Sequence, residues 1–381
     1  MIRNLIKSYS KVEPFIFDLI KAQFCVQLIN SSFFILLNFY LINEDYKDYE
    51  IANFISWRYA AVALLGIPFG IFIKKRDLKK LMLVGAILFP IISLGIILAI
   101  PTKNVLLIKG LMAVYSVSFL LLHITPLPFI MKHCSAENRT SALALQFQVW
   151  GIAVMTVGII TFVLQRIDRQ LFNDKNILLL FCMIGFIAVY YIQKKKKKKI
   201  HDEIVYTSHN FFKDYDWKLI WKATISVQLI AVGAGFTIPF ISLFFQQVFD
   251  FNTEQFSILT SLSHFIVAFA MFITPWIKNR FGYKKGIIGV QSLAVVCLIL
   301  FATTEWYKHL AIAPIIAMVM YVIRQPLMNS AGPLTSELSL EYVGAKNREM
   351  ISSIDACIWN SGWLFSAIIF EYLRKKNMPY S

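Results

Sequence analysis

The sequence predicts an all-α membrane protein built of two pseudo-symmetric helical bundles, with six and five transmembrane helices. Three observations predict this class: an apolar composition, apolar segments of membrane-spanning length along the whole chain, and sequence features that recur about 205 residues apart. Of the 381 residues, 57% are hydrophobic and 16% are charged, whereas soluble domains carry about 25% charged residues. One water-soluble core could not hide this much apolar surface, so lipid must be the solvent.

Eleven apolar segments justify the helix count. Each approaches the ~20 residues that a helix needs to cross a hydrocarbon core, and an isolated strand in lipid would leave its backbone groups unpaired. The first segment is too long for a signal peptide and lacks a small-residue cleavage site, so we expect a retained helix. The predicted spans are Phe15–Ile42, Ile51–Ile73, Leu81–Ile100, Val105–Met131, Ala142–Leu164, Ile177–Ile192, Leu219–Phe245, Phe256–Ile277, Gly286–Ala302, Leu310–Ser330 and Ile351–Tyr372.

The distribution of Lys and Arg predicts the orientation of these spans. With the N-terminus in the cytoplasm, 25 of these residues fall on the inner side, nine on the outer side and four within spans. Positive charge accumulates on the cytoplasmic side of membrane proteins. We therefore expect a multi-pass integral membrane protein with a cytoplasmic N-terminus. Richness in Lys, Ile, Phe and Asn is typical of AT-rich bacterial genomes and indicates a bacterial plasma (inner) membrane.

A run of six lysines, Lys194–Lys199, directly follows the sixth span. In a soluble chain such a run would suggest nucleic-acid binding. At the end of a span it is better explained by contact with anionic lipids, at about 1 kcal/mol per Lys near the surface. We expect no nucleic-acid partner. The predicted organisation is an N-terminal bundle at 1–193, a basic cytoplasmic linker at 194–217 and a C-terminal bundle at 218–381.

Paired motifs indicate an internal repeat. Residues 70–80 read GIFIKKRDLKK and residues 275–285 read PWIKNRFGYKK, and each follows a span directly. Six spans, an even number, separate the copies, so both share one orientation. Such parallel repeats build transporters of two six-helix bundles. An Asn-Arg pair followed eleven residues later by Trp also recurs, ending at Trp150 and at Trp359.

These motifs resemble the major facilitator superfamily, whose signature loop after the second and eighth helices looks like G-x-L-a-D-R-x-G-R-K-K. The stretches at 124–145 and 232–245 are similar to the end of the family's fourth helix and to its seventh helix. Residues 275–285 match the loop at Arg280, Gly282, Lys284 and Lys285, with Asn279 in place of the Asp, and residues 70–80 match at Gly70, Lys79 and Lys80.

The resemblance implies a secondary active transporter in which two bundles rock about a central cavity, giving rocker-switch alternating access. The matching loop residues would then form a cytoplasmic gate whose cations contact carboxylates and helix C-termini. The resemblance implies a monomer and no cofactor. It also implies twelve helices, whereas the sequence shows eleven before Ser381, so we expect the twelfth helix to be missing. The alternative is a non-transporting remnant, or a scaffold or partner membrane protein with the same fold.

Ionisable and polar groups within spans are the candidate substrate and coupling residues, because they are costly in lipid. Net basic in-span charge favours a small anionic or zwitterionic solute, with proton coupling open to groups such as a histidine. Arg58 and Lys109 are expected to snorkel towards the outer surface. The candidates for substrate or coupling contact are Arg324, His123, Gln228, Asn30 and Asp355.

Enzyme and metal-site motifs are absent from the sequence. It contains no G-x-x-x-x-G-K-[ST], no H-E-x-x-H and no G-x-S-x-G, so neither ATP binding nor hydrolysis is indicated. The five cysteines and six histidines show no metal-ligand spacing. We therefore expect neither an enzyme nor a metal site.

Overall fold

A computed structural model describes residues 13–73, 76–133, 139–194, 216–344 and 348–380, and every regular element in these ranges is a helix. All eleven predicted spans are formed by helices. Seven of the described helical segments can cross a membrane by length and composition alone. The spans are Pro14–Asn43, Asp48–Ile73, Leu78–Ala99, Val105–Ile124 continued by Pro126–His133, Arg139–Ile167, Asp174–Gly185 with Ile187–Gln193, Trp217–Thr237 with Ile241–Phe249, the two arms of Thr253–Thr303, Ala313–Tyr342 and Arg348–Lys375.

Capping residues and prolines explain where these helices begin and break. Asn173 and Asn252 accept hydrogen bonds from backbone N–H groups in the first turns of the sixth and eighth spans. Such caps satisfy donors that a helix N-terminus otherwise leaves unpaired. The seventh span is interrupted by a short 3₁₀ turn at Ile238–Phe240, around Pro239, because proline removes a helical hydrogen bond. The predicted linker lies mostly outside the described residues, since 195–215 are not included.

The eighth and ninth spans differ from the prediction in how they are joined. The sequence predicts a loop between them, whereas residues 253–303 form helix throughout, apart from a sharp change of direction at Gly282. Gly282 has φ 68° and ψ 177°, a conformation that glycine adopts without the steric cost of a Cβ. One residue therefore reverses the chain, and the basic residues on both sides of it remain helical.

Two bundles are formed by spans one to six and seven to eleven. The first span lies at the centre of the N-terminal bundle against the fifth and sixth, and 83% of its most apolar window is buried. The halves meet where the second span packs on the eleventh, the fifth on the eighth and the first on the seventh. We call the face where the first span begins the inner face, following the predicted orientation, and the opposite one the outer face.

The third and ninth spans occupy equivalent positions in the repeat but are covered differently. Half of the third span's most apolar window is buried, against 22% for the ninth. Large apolar side chains such as Ile288, Leu293 and Ile299 are more than half exposed. In a membrane these side chains face lipid, which suits apolar surface. Lipid therefore replaces much of the protein contact around the ninth span.

Candidate substrate site

Arg58 of the second span is the centre of a polar cluster in the N-terminal bundle. Its Nη2 donates a hydrogen bond to Oδ1 of Asn30 at 2.7 Å. Its guanidinium carbon lies 4.8 Å from the ring centroid of Tyr115 and 5.9 Å from that of Tyr59. Among the described residues, no carboxylate forms an ion pair with it. Its positive charge is therefore stabilised by aromatic faces and one amide oxygen, with most of its donors free.

Three helices hold this cluster in place. Asn30 donates from Nδ2 to Oε1 of Gln27 at 3.1 Å, one turn earlier in the first span. The hydroxyl of Tyr115, in the fourth span, lies 3.4 Å from Asn30 Oδ1. The Tyr115 ring is fully buried and stacks on Phe33 at 5.0 Å between centroids. Aromatic packing therefore fixes the partners of Arg58 before any solute arrives.

The cluster borders the second bundle. Tyr59, next to Arg58, packs edge-on against Trp363 of the eleventh span, with ring centroids 5.0 Å apart. Arg58 itself is partly exposed, whereas Asn30 is 9% exposed. A cation on one half beside the junction with the other half can contact a solute that both halves enclose.

The expectation that Arg58 snorkels to the outer surface is wrong. The second span begins at Asp48, not at Ile51, so Arg58 lies ten residues below the outer end of its helix. The first residues of this helix, at 48–50, are polar, but the hydrogen bond to Asn30 sets the depth of the guanidinium. Asn30 lies thirteen residues, or about 20 Å, below the outer end of the first span at Asn43, within the central part of a ~30 Å hydrocarbon core. The side chain turns inward because Asn30 offers an acceptor at the same depth. The pairing of an in-span amide with an in-span cation at matching depth was the sequence signal that could have identified it.

Arg324 of the tenth span is the corresponding cation in the C-terminal bundle. It is 4% exposed and, within the described part of the chain, makes no hydrogen bond or ion pair. Its electrostatic neighbours are Tyr321, one turn earlier, and Cys297 of the ninth span. It lies eleven residues below Ala313, hence about 16 Å from the outer end. Both halves therefore carry an arginine without a carboxylate partner at similar depth.

The other predicted site residues lie apart from Arg58. His123 is exposed in the fourth span, its ring stacked 5.5 Å from that of Phe119. Gln228 Oε1 lies 3.4 Å from the Ser361 hydroxyl, which joins the seventh and eleventh spans. Asp355 Oδ1 is buried with no donor among the described residues. Of the five predicted residues only Asn30 belongs to the cluster, and Arg58, Gln27 and Tyr115 are additions from the structure.

The predicted gate residues near the inner face are partly described. Lys79 Nζ donates to the backbone oxygens of Gln193 at 3.4 Å and Lys194 at 2.8 Å, at the C-terminus of the sixth span. Cations are favourable at helix C-termini. Lys194 in turn pairs with Asp18 at 3.2 Å, and this hydrogen bond raises the pKa of Lys194. Lys80, Arg280, Lys284 and Lys285 are exposed, whereas the side-chain positions of Gly70 and Asn279 and all of Lys195–Lys199 lie outside the described residues.

Alanine substitutions at Gly282, between the eighth and ninth spans, and at Gly289, within the ninth span, should change the stability of the protein in opposite directions. Gly282→Ala should lower the free energy of unfolding by about 1–3 kcal/mol, because its φ of 68° with ψ 177° disfavours any Cβ. Gly289→Ala is the matched control: it is helical with nothing within 4 Å of an added Cβ, so it should stabilise by about 0.5–1 kcal/mol. Thermal unfolding in detergent measures both changes. Equal shifts of the same sign would contradict the assigned turn.

Hydrogen bonds and an ion pair join the two halves along their outer ends. Asn38 Nδ2 donates to the Pro239 carbonyl oxygen and to Ser242 Oγ, both at 2.8 Å. Asn38 and Ser242 are 204 residues apart in sequence, close to the repeat offset. Similar links connect the second and eleventh spans, Asn53 to Glu371 at 2.7 Å and Asp48 to Arg374 at 3.0 Å. These contacts close the outer side.

The two halves approach each other closely at Gly158 of the fifth span. A Cβ at this position would overlap Ser261 Oγ and the backbone oxygen of Ser257, both in the eighth span. Ser261 Oγ also donates to the Met155 carbonyl oxygen at 3.2 Å. The fifth and eighth spans therefore touch backbone to backbone nine residues, or about 14 Å, below the outer end of the fifth span at Ile167, and only glycine permits this contact.

A family model described as Major Facilitator Superfamily matches residues 2–158 and 176–367. The chain belongs to the Major Facilitator Superfamily. An uncharacterised MFS-type transporter of Methanocaldococcus jannaschii is 28% identical over 160 residues, which is 41% of this chain and 39% of that relative. Membership in this superfamily supports the expectation of a membrane transporter over that of an enzyme.

Solved structures of superfamily members share the fold. The xylose transporter XylE from E. coli, in an inward-open conformation, has a TM-score of 0.73 at 12% identity over 96% of this chain and 91% of its own. A bacterial homologue of the iron transporter ferroportin, in an inward-facing state, has a TM-score of 0.72 at 11% identity over 94% and 91%. A mutant of the nucleoside transporter NupG has a TM-score of 0.68 at 14% identity over 94% of this chain and 91% of its own. At these identities the similarity establishes the two-bundle superfamily fold.

Proposed function

We propose that this superfamily member is a secondary active transporter that binds a small anionic or zwitterionic solute at Arg58. The observation that carries the proposal is a guanidinium near mid-membrane depth that has one hydrogen bond, two tyrosine faces and no carboxylate partner. An unpaired charge is costly at this depth. A solute carboxylate or phosphate would supply the missing counter-charge through bidentate hydrogen bonds that the guanidinium geometry favours. Arg324 would attract the same solute from the second half.

The mechanism we propose is alternating access by rocking of the two bundles. The outer contacts, such as those of Asn38 and Asn53, would hold the outer side shut while the inner side exchanges solute. A neutral hydrogen bond contributes about 0.5–1.5 kcal/mol net and a hydrogen bond to a charged group about 1.5–3 kcal/mol. Contacts of this strength can break in each cycle. The Lys79 and Arg280 regions would serve the corresponding role at the inner face.

Proton coupling, location and oligomeric state complete the proposal. Asp355 has a buried carboxyl oxygen without a donor, and such a group is most cheaply held as a neutral acid. It and His123 are the proposed proton carriers. The basic inner segments support a cytoplasmic N-terminus in a bacterial inner membrane, with the Lys194–Lys199 run on anionic lipid. A monomer suffices, because one chain supplies both bundles.

A ligand-dependent unfolding screen tests the solute class. The purified chain in detergent would be heated with anionic, zwitterionic and cationic solutes of similar size. A solute present at about one hundred times its dissociation constant should stabilise the protein by about 2.7 kcal/mol. We expect anionic or zwitterionic hits that disappear in Arg58→Ala. Stabilisation by cations alone, or the absence of any hit that is lost in Arg58→Ala, would contradict the assigned site.

A further inference from the structure

A polar pocket of about 310 Å³ lies between the two bundles at the outer face. The N-terminal bundle contributes Gln165, Arg169 and Asp174, and the C-terminal bundle contributes Gln246 and Asp250. This volume is at the lower end of the range of small-molecule pockets, about 300–1,000 Å³. The pocket exists only while the outer ends are together, because neither half alone provides its walls. It is distinct from the Arg58 cluster, which lies about 15 Å deeper.

The floor of the pocket contains hydrogen-bond acceptors that lack donors. Gln165 is 6% exposed; its Nε2 donates to Asp174 Oδ1 at 2.9 Å, while its own Oε1 is buried without a partner in the described chain. Gln246 Oε1 is likewise buried and unpaired there. Asp174 is already satisfied by Gln165 and by Asn43, at 2.9 Å each. Buried acceptors are normally paired, so two unpaired amide oxygens on side chains that line one pocket point to a donor that a ligand supplies.

The rim of the pocket carries two opposite charges. Arg169 comes from the turn before the sixth span and Asp250 from the turn before the eighth, and both are exposed. In the described part of the chain, neither side chain forms a hydrogen bond or ion pair. Arg169 interacts electrostatically with the Asp174 carboxyl of its own half, and Asp250 brings a negative group from the other half, so a ligand can contact a positive and a negative group from opposite sides.

We propose that this pocket binds a small zwitterion, of the α-amino-acid type, from the outer side. Its ammonium group donates to Gln165 Oε1 and Gln246 Oε1 and faces Asp250, while its carboxylate faces Arg169. Such a ligand bridges the two halves and stabilises the closed outer side. The site is regulatory: external zwitterion slows the opening of the outer side. It does not depend on transport at Arg58.

Binding to the purified full-length protein tests the site directly. Glycine and alanine are titrated by calorimetry, with acetate and methylammonium as the corresponding single-charge fragments. We expect both zwitterions to bind more tightly than either fragment. Arg169→Gln and Asp250→Asn should each weaken binding by about fivefold, as expected for partly exposed charges. Lys175→Gln, in the first turn of the sixth span and outside the pocket lining, is the matched control and should leave binding unchanged. No zwitterion binding, or binding unaffected by both rim variants, overturns the proposal.

Gln246→Leu separates a ligand contact from a structural role. The change removes an unpaired buried acceptor, so the thermal midpoint without ligand should stay the same or rise. Zwitterion binding should weaken by about tenfold, because one ammonium partner is lost. Weaker binding together with a lower midpoint would assign Gln246 a structural role and count against the site. Arg58→Ala, which tests the transport site, should leave this binding intact.

The gating role is tested by labelling at Ser242→Cys. Ser242 is buried beneath the outer contacts, so a membrane-impermeant maleimide reaches a cysteine there only when the outer side opens. In liposomes, external glycine should slow labelling several-fold relative to acetate plus methylammonium. In Asp250→Asn the same slowing should require about fivefold more glycine. Unchanged labelling in the presence of bound glycine overturns the regulatory role.

Discussion

Arg58→Ala is expected to reduce solute uptake by about 100-fold or more while the protein still folds. In the proposed complex, Arg58 and the charged group of the solute form a buried, hydrogen-bonded pair. Truncating one partner of such a pair costs about 2–5 kcal/mol, and at mid-membrane depth no water replaces the lost contact. The fold should survive, because Arg58 has no ion-pair partner that the substitution would leave unpaired. Its amide partner Asn30 keeps its hydrogen bond to Gln27. The measurement is uptake into liposomes of the solute that best stabilises the parent protein in the unfolding screen.

Two further variants make this prediction specific. Arg58→Lys keeps the charge but loses the planar guanidinium, so it should restore uptake only partly. Lys109→Ala removes the same charge from the fourth span, where Lys109 lies four residues below the helix start at Val105 and can reach the interface. It should transport like the parent. Equal losses in Lys109→Ala and Arg58→Ala would reduce the effect to net charge and contradict a specific site.

Gly158→Ala is expected to shift the protein from the outward-closed state towards an outward-open one. The added Cβ overlaps the backbone oxygen of Ser257 as well as Ser261 Oγ. A side-chain hydroxyl can rotate away but a backbone oxygen cannot, so the fifth and eighth spans must separate. A destabilisation of the closed state by about 2–3 kcal/mol, typical of overpacking, changes the ratio of the two states by about 30-fold or more. Uptake should fall because one half of the cycle becomes rare.

The matched control for this prediction lies on the same helix. Gly151, two turns nearer the inner face, has nothing within 4 Å of a built Cβ, so Gly151→Ala should leave the conformational balance unchanged. Spin labels on the exposed outer-turn residues Gln170 and Lys308 would report the distance between the halves. A longer distance should become populated in Gly158→Ala alone. An unaltered distance distribution in that variant would show that the outer contact adapts without opening.

The fold was predictable because lipid imposes a strong rule on sequence. Every span must satisfy its backbone internally and remain apolar for about 20 residues, so composition and segment length revealed all eleven. The repeat of the basic motifs at 70–80 and 275–285 added the two-bundle arrangement. The joint at Gly282 could not be predicted as helical on both sides, because basic residues suit a loop and a helix end equally well.

The candidate site was predicted less well, for reasons of depth and rotation. Arg58 was expected near the surface because the sequence does not show that its side chain bonds to Asn30 of the first span. Which side of a span faces its neighbours depends on 100° of rotation per residue, and spans that are apolar all round carry little information about it. Asn30 was recognised because an amide within lipid stands out regardless of rotation. Tyr115 was hidden among many aromatic residues that fill the core.

The sparse protein contact around the ninth span gives the two bundles different mechanical properties. A helix surrounded by protein keeps its tilt through side-chain packing, whereas one that mostly meets acyl chains takes its tilt from the thickness of the bilayer. With 22% of its most apolar window buried, against 50% for the third span, the ninth span belongs to the second kind. It is continuous with the eighth span through Gly282. Bilayer thickness therefore influences the tilt of the two helices that join at the inner corner of the C-terminal bundle. Lipid composition is then expected to affect transport.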